Sequence, residues 1–298
     1  MAAERAGEGI DECLRDDGGE RINAGDPGGV GRPYPRSMDL TGRTALVTGA
    51  NPGIGRAVTR APADRRLKLV LAGVRDPDAF EPVTGGAEVR PVRIDLSGRE
   101  AIEASVAALG DDLAAVDLLV NNAGQMTGGL LEEQDMEAVY AMFQVNLVAV
   151  AHLTSLLLPG MLAKGSGKVV NNASISGYAS FPAATTYAAS KAGVVALSES
   201  LRRELKGTGV DVLHVVTPGV NTDMLGATEE VYGRYMDTSG WDKVEPDAWA
   251  SKIIEAIEAD DHILGPGGKT ALAKLASRGP AFVLDAFSDR MFSRQPRS

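Results

Sequence analysis

The sequence predicts an α/β fold: a doubly wound parallel sheet in a three-layer αβα arrangement, built as a single domain. Two patterns carry this. Six short runs, at residues 44–48, 68–72, 89–94, 118–121, 168–172 and 211–216, are nearly all apolar rather than alternating. That is the signature of parallel strands covered on both faces. Between them lie longer stretches with helical spacing, at residues 54–63, 99–109, 136–164 and 186–206. Every parallel connection needs such a crossover. No internal repeat and no second domain pattern interrupts the rhythm.

The chain of 298 residues is 44% hydrophobic and 23% charged, ordinary for one large globular domain. Residues 1–37 differ: eight glycines, eight acidic residues and five arginines leave little apolar surface to offset ordering, so a disordered tail is expected. The domain is expected over residues 38–265, opening at Met38 with MDLTGRTALVTG. A helical extension is expected over 266–298, with Leu272, Leu275, Phe282, Leu284, Phe287 and Phe292 as its apolar positions.

A net charge of −10 argues against nucleic-acid and anionic-membrane partners. The most apolar stretch, residues 145–162, is interrupted by Asn146, His152 and Pro159 and reads as a buried helix rather than a membrane span. No secretion signal is read at the acidic N-terminus, and the lone Cys13 forms no intramolecular disulfide, so the cytoplasm is the expected location. No metal site is predicted.

The first strand runs directly into Thr48-Gly49-Ala50-Asn51-Pro52-Gly53-Ile54-Gly55. Glycines between a strand and a helix let the backbone turn tightly, approach a pyrophosphate closely and pack the helix on the sheet. The helix that follows points free N–H groups and a positive dipole end at the phosphates. A dinucleotide is therefore expected here.

Tyr187 and Lys191 stand four apart in a helical run, which places their Cβ atoms about 6 Å apart on one face. A tyrosine of pKa ~10 needs a downward shift of about 3 units, roughly 4 kcal/mol, to act as a base near neutrality. A neighbouring ammonium and an oxidised nicotinamide ring both push in that direction. Ser174 lies thirteen residues before Tyr187, just past the strand at 168–172, and Asn146 sits within a helical run. A buried helical Asn is costly unless its amide is satisfied, by a structural hydrogen bond or by a functional one.

The spacing Gly-x-x-x-Gly-x-Gly with Thr48 in front, joined to Ser174, Tyr187 and Lys191, resembles the classical short-chain dehydrogenase/reductase family over nearly all of residues 38–265. The resemblance implies a Rossmann-type domain and an NAD(P)-dependent oxidoreductase acting on a carbonyl or alcohol. It implies that Ser174 and Tyr187 bind the substrate oxygen, that Tyr187 is the general acid/base, and that Lys191 bonds the nicotinamide ribose. Asn146 would hold a water in the proton relay. Cofactor contacts are implied for Gly49, Asn51, Gly53, Ile54 and Gly55, for Asp95-Leu96, for Asn122-Ala123-Gly124, and for Pro218, Gly219 and Thr222, besides Tyr187 and Lys191. Asp95 caps a helix in the other reading.

The position after the second strand decides between NAD and NADP. Gly73 is read there in place of an acidic residue, with Arg75 close behind to hold a 2′-phosphate, which favours NADP(H) over NAD(H). Asp76 partly neutralises Arg75 in the opposing reading, and Pro52 stands where many NADP-preferring relatives carry a basic residue. Pro62 should end the first helix near Arg60; Arg65 and Arg66 replace a glycine expected beyond it. The Pro218-Gly219 to Thr222 spacing is one residue shorter than the family pattern.

Residues 223–244, with Met224, Leu225, Tyr232, Tyr235, Met236 and Trp241, correspond to the family's mobile lid, and Met126 is a further pocket candidate. These side chains suit an apolar substrate and core packing equally. A homodimer or homotetramer through helices 136–164 and 186–206 is implied. Two alternatives stand: a non-catalytic dinucleotide-binding sensor or scaffold, and an isomerase or dehydratase using the same Tyr–Lys pair.

Overall fold

The computed structural model describes residues 38–51, 53–61, 67–83, 86–238, 243–267, 285 and 291–295. In chain order the strands are β1 (Thr44–Thr48), β2 (Leu69–Val74), β3 (Glu88–Arg93), β4 (Val116–Asn121), β5 (Gly167–Asn172), β6 (Val210–Val215), β7 (Gly219–Val220), β8 (Lys243–Val244) and β9 (Ile263–Leu264). The principal helices are α1 (Gly53–Arg60), α2 (Arg99–Ala107), α3 (Met136–Phe143), α4 (Ala149–Lys164), α5 (Thr185–Glu204), α6 (Asp223–Gly233) and α7 (Pro246–Glu258). Seven strands form one parallel sheet in the order β3-β2-β1-β4-β5-β6-β9, and β7 pairs β8 separately.

Burial on both faces explains the apolar character of the inner strands; the edge strand β3 is only half-buried. On one face Ala45, Val47, Val70, Val120 and Leu213 pack against Ala57 and Val58 of α1 and Trp249, Ile253 and Ile257 of α7. On the other, Leu46, Leu71, Leu119 and Val169 pack against Ile102 and Val106 of α2 and Leu153, Leu157 and Met161 of α4. Removing this area from water is the main favourable contribution to folding. Lys168, 1% exposed in β5, is tolerated because its Nζ lies 2.6 Å from Asp260 Oδ1.

Helix α1 ends at Arg60, as Pro62 predicts, although Pro62, Arg65 and Arg66 lie outside the described residues. Three expectations are corrected. The helix predicted over 136–164 is not uniform: α3 and α4 are joined by a π-helical segment, Gln144–Val148, centred on Asn146. By length and composition this span could cross a membrane. In the fold, Ala149, Leu153, Leu157 and Met161 are buried against the sheet.

The second correction is that β2 runs two residues past Ala72. Gly73 is paired within the sheet, opposite Thr48 and Val92. A methyl there would lie 2.9 Å from both Ile94 Cγ1 and Val47 O, so glycine serves close packing rather than ending the strand. The first residue beyond β2 is Arg75. Third, α6, α7 and β9 extend the architecture beyond the predicted elements. The tail at residues 1–37, Cys13 among them, and most of the C-terminal extension, including Leu272, Leu275, Phe282, Leu284 and Phe287, lie outside the described residues. The described residues 291–295 reach the segment after α6: Ser293 N donates to Tyr235 O at 2.8 Å, and Phe292 packs with Tyr235 and Met236.

Strand β1 lies between β2 and β4, where the chain reverses its direction of travel across the sheet. The crevice at the carboxyl ends of these strands is the ligand position of an open α/β sheet.

Candidate active site

The glycine turn after β1 is fixed by sterics and by one asparagine. Gly49 adopts φ +62°, and a methyl on it would lie 2.8 Å from Ala123 Cα. A methyl on Gly55 would lie 1.8 Å from the Gly49 carbonyl oxygen and 2.5 Å from Asn122 Nδ2. Asn122 closes the turn from β4: its Nδ2 donates to Thr48 O (3.1 Å) and Gly49 O (3.3 Å), and its backbone N–H donates to Thr48 Oγ1 at 3.0 Å. The backbone is thus held open beside the start of α1, a cradle that side chains would fill.

A cavity of about 900 Å³ runs along the carboxyl ends of the strands. Its walls include Gly49, Asn51, Gly53, Ile54, Gly55, Arg75, Asp95, Leu96, Asn122, Ala123, Gly124, Ser174, Tyr187, Lys191, Pro218, Gly219 and Thr222. Asn146 is the one predicted site residue behind the wall. Its Nδ2 donates to Gln125 O (2.8 Å) and Ser190 Oγ (3.1 Å), and its Oδ1 accepts from Gln125 N at 2.7 Å. The side chain bolts the loop after β4 to α5, and the π-helical turn is the backbone distortion that aims it there.

At the far end, Ser174 caps a short 3₁₀ turn, Ile175–Gly177, and Tyr187 and Lys191 project from α5. Burial pushes the Tyr187 phenol up to about 12, outweighing the opposite influence of the neighbouring Ser174 side chain. The chain's own groups therefore do not supply the lowered pKa expected from the Tyr–Lys spacing. Lys191 Nζ sits 5.9 Å from the Tyr187 ring centroid and is committed to the Asn172 carbonyl at 2.8 Å. Burial pulls the Lys191 ammonium down to about 8. Near neutral pH the site thus holds a protonated phenol and an ammonium, the pairing required of a proton donor.

The sequence reading missed Asn172 and Thr217. Trp249 Nε1 donates to Thr217 Oγ1 (3.2 Å), Thr217 Oγ1 donates to Asn172 Oδ1, and Asn172 Nδ2 donates to Asn122 Oδ1 at 3.0 Å. This chain of side chains crosses the strand ends from α7 to the glycine turn and passes through the residue whose carbonyl holds Lys191. The signal was available: Asn172 ends a buried apolar strand on the crevice side.

At the other end, Arg75 stands exposed on the wall beyond β2. Asp76 turns its Oδ1 to the Asp78 N–H at 3.1 Å. Asp95 Oδ1 accepts from Ser97 N at 3.0 Å; hydrogen bonds from Ser97 chiefly hold its carboxyl below the usual range, with smaller help from Arg93 and Arg75. Asp95 therefore shapes the turn before α2 while lining the cavity. Thr222 Oγ1 caps α6 by accepting from Leu225 N at 3.3 Å. Of the candidates over 223–244, Met224, Leu225 and Tyr232 line the cavity, Tyr235 and Met236 are buried with Leu130 and Ala183, and Trp241 lies outside the described residues.

Comparison with known proteins gives a consistent result. The family model for short chain dehydrogenases matches residues 43–232. An uncharacterized oxidoreductase of Staphylococcus saprophyticus is 32% identical over 232 residues, 76% of this chain and 95% of that protein. The 3-oxoacyl-(acyl-carrier-protein) reductase FabG of Vibrio cholerae is 34% identical over 195 residues, 65% of this chain and 80% of that protein. The crystal structure of a short chain dehydrogenase from Burkholderia cenocepacia in complex with NADP superposes with a TM-score of 0.72 at 26% identity, covering 84% of this chain and 99% of that one.

Proposed function

We propose a mechanism from one premise: the chain belongs to the short-chain dehydrogenase/reductase family and is an NAD(P)-dependent oxidoreductase acting on a CH–OH or C=O group of a small-molecule substrate. The observation that carries the mechanism is Tyr187 set beside Ser174 and Lys191, in the cavity that also holds the glycine cradle. The cradle and cavity fit a dinucleotide. Gly49, Asn51, Gly53, Ile54, Gly55 and the α1 N-terminus would hold its pyrophosphate. Asp95 and Leu96 would lie at the adenine, Asn122, Ala123 and Gly124 along the ribose side, and Pro218, Gly219 and Thr222 by the nicotinamide. When bound, the nicotinamide supplies or accepts the hydride.

In reduction, Ser174 Oγ and Tyr187 Oη donate hydrogen bonds to the carbonyl oxygen and stabilise its developing negative charge. Tyr187 Oη then gives its proton to that oxygen. Lys191 Nζ, held by the Asn172 carbonyl, keeps positive charge beside the tyrosinate left behind and would also bond the nicotinamide ribose. Asn146 acts as a positioning residue through Gln125, upstream of the water relay. Oxidation reverses each proton movement. The test is NADPH oxidation against a panel of ketones, with Tyr187→Phe as the control.

The cofactor reading favours NADP(H). Arg75 is the first residue after β2 and lines the cavity, and Asp76 is engaged with Asp78. Charge-assisted hydrogen bonds contribute about 1.5–3 kcal/mol each. Arg75→Ala should therefore weaken NADPH binding about 10- to 150-fold and leave NADH unchanged, as read by fluorescence titration. Equal effects on both cofactors would remove Arg75 from the 2′-phosphate.

Lys191 also sets a pH dependence. Its ammonium is charged below about 8 and neutral above it. NADPH affinity should be level below pH 8 and weaken above it as the charge beside the ribose is lost. Titrations at pH 7 and pH 9 check this, and Lys191→Met should remove the step.

The outer side of the long helix leaves Tyr140 67% and Val148 51% exposed. Two-fold pairing of such a face favours the proposed homodimer or homotetramer. Tyr140→Glu should lower the mass measured by sedimentation; an unchanged mass places the contact elsewhere.

A further inference from the structure

We infer that the substrate is an uncharged, largely apolar ketone or alcohol whose hydrocarbon body rests on Met126, Phe181 and Tyr232; the inference deepens the proposed function and rests on it. Beyond Ser174 and Tyr187 the cavity is walled by Met126, Phe181, Leu225, Thr228 and Tyr232. This wall is backed by packing. Met126 and Phe181 lie against a buried cluster of Leu130, Ala183, Ala184, Tyr232, Tyr235 and Met236. Tyr232 is 3% exposed, and a methyl on Gly128 would lie 2.3 Å from its Cε1, so the ring is held from behind.

Polar groups on this wall are few and neutral. The Thr228 hydroxyl donates to Met224 O at 2.6 Å and touches Met126 Sδ. Burial, and secondarily the nearby Tyr187, push the Tyr232 phenol well above its ordinary range, so it stays uncharged.

Charge placement makes the same selection. Among the described residues lining the cavity, the cations are Arg75 and Lys191. Arg75 stands beyond β2, where it acts on Asp95, and Lys191 is bonded to the Asn172 carbonyl. Neither serves the Met126–Phe181 wall. The positive end of α6, the other attraction for an anion, is met by the Thr222 cap and by Asp223 in its first turn. Asp223 lines the cavity and is exposed, so it places negative charge at the mouth. A carboxylate or phosphate on the substrate would be desolvated against apolar side chains without a partner, and burying an unpaired charge is strongly unfavourable.

The test uses the full chain with NADPH and compares methyl ketones of rising length, and 7-oxooctanoate with its methyl ester. Catalytic efficiency should rise about fourfold per added methylene until the wall is covered. The ester should exceed the acid by at least about 100-fold. Phe181→Ala should flatten the length dependence, and Asp223→Lys should narrow the ester-to-acid ratio about tenfold. An acid used within threefold of its ester, or a flat length series, overturns the inference and leaves the oxidoreductase reading intact. NADPH binding without turnover of any of these ketones also overturns it. Failure to bind NADPH or NADH brings down the underlying reading instead.

Discussion

Tyr187→Phe should lower kcat for ketone reduction by about 10³- to 10⁴-fold while leaving NADPH affinity within about threefold of wild type, consistent with the range for a positioned general acid. The substitution removes one oxygen. The ring remains in a pocket where the residue is 7% exposed, so the fold and cavity should survive. What disappears is the phenol beside Ser174, and with it both the proton and one of two donors to the carbonyl oxygen. Ser174→Ala should have a smaller effect, since Tyr187 still donates. Steady-state rates together with a fluorescence titration separate the two quantities. If kcat fell less than tenfold, the proton would have to come from elsewhere.

The second large effect is expected at Gly55. A methyl there meets the Gly49 carbonyl oxygen at 1.8 Å, and that carbonyl is itself held by Asn122. Backbone meets backbone, so no side chain can swing away. Gly55→Ala must spread the turn after β1, at a cost of about 1–3 kcal/mol in stability. NADPH affinity should fall by at least about 100-fold, because the N–H groups aimed at the pyrophosphate move with the turn. Gly98→Ala is the control, since a methyl at Gly98 meets nothing within 4 Å and its φ of −174° is ordinary extended backbone. Unchanged NADPH binding by a folded Gly55→Ala protein would detach the turn from the cofactor.

Much of this architecture is legible in the residues themselves. The five inner strands of the sheet are mostly buried because α1 and α7 cover one face and α2 and α4 the other, whereas the edge strand β3 is half-buried and carries Glu88, Arg90 and Arg93. The glycine turn and the Tyr187–Lys191 pair are local in sequence, so spacing alone places each. What spacing misses has identifiable causes. Gly73 looks like a strand end because glycine weakens strands in general; here the close approach of Ile94 and Val47 demands it. Strand β9 is only two residues long, too short to show a period. Helix α7 did carry a signal, Pro246 at its start and Trp249, Ile253 and Ile257 four apart, that went unread.

The remaining misses are tertiary. The π-helical turn at Asn146 arises where Asn146 reaches Gln125, a contact between segments 21 residues apart. The Trp249–Thr217–Asn172–Asn122 chain joins four separate elements, and no local pattern encodes it. The Tyr187 pKa is the clearest case. Helical spacing brings a lysine near the phenol, but the depth of burial decides the direction of the shift, and depth belongs to the whole fold.

The most direct test of the central claim is the fate of the hydride. The protein is incubated with NADPH deuterated on one face at C4 and a neutral methyl ketone, in parallel with the oppositely labelled cofactor, and the product is analysed by mass spectrometry. The account predicts an alcohol carrying one deuterium at the carbinol carbon from one of the two labelled cofactors and none from the other, with the product lost in Tyr187→Phe. Tight NADPH binding with no deuterated alcohol from either label, across the neutral ketone series and a panel of charged carbonyl compounds alike, would contradict it and would favour a protein that binds the dinucleotide without performing the chemistry.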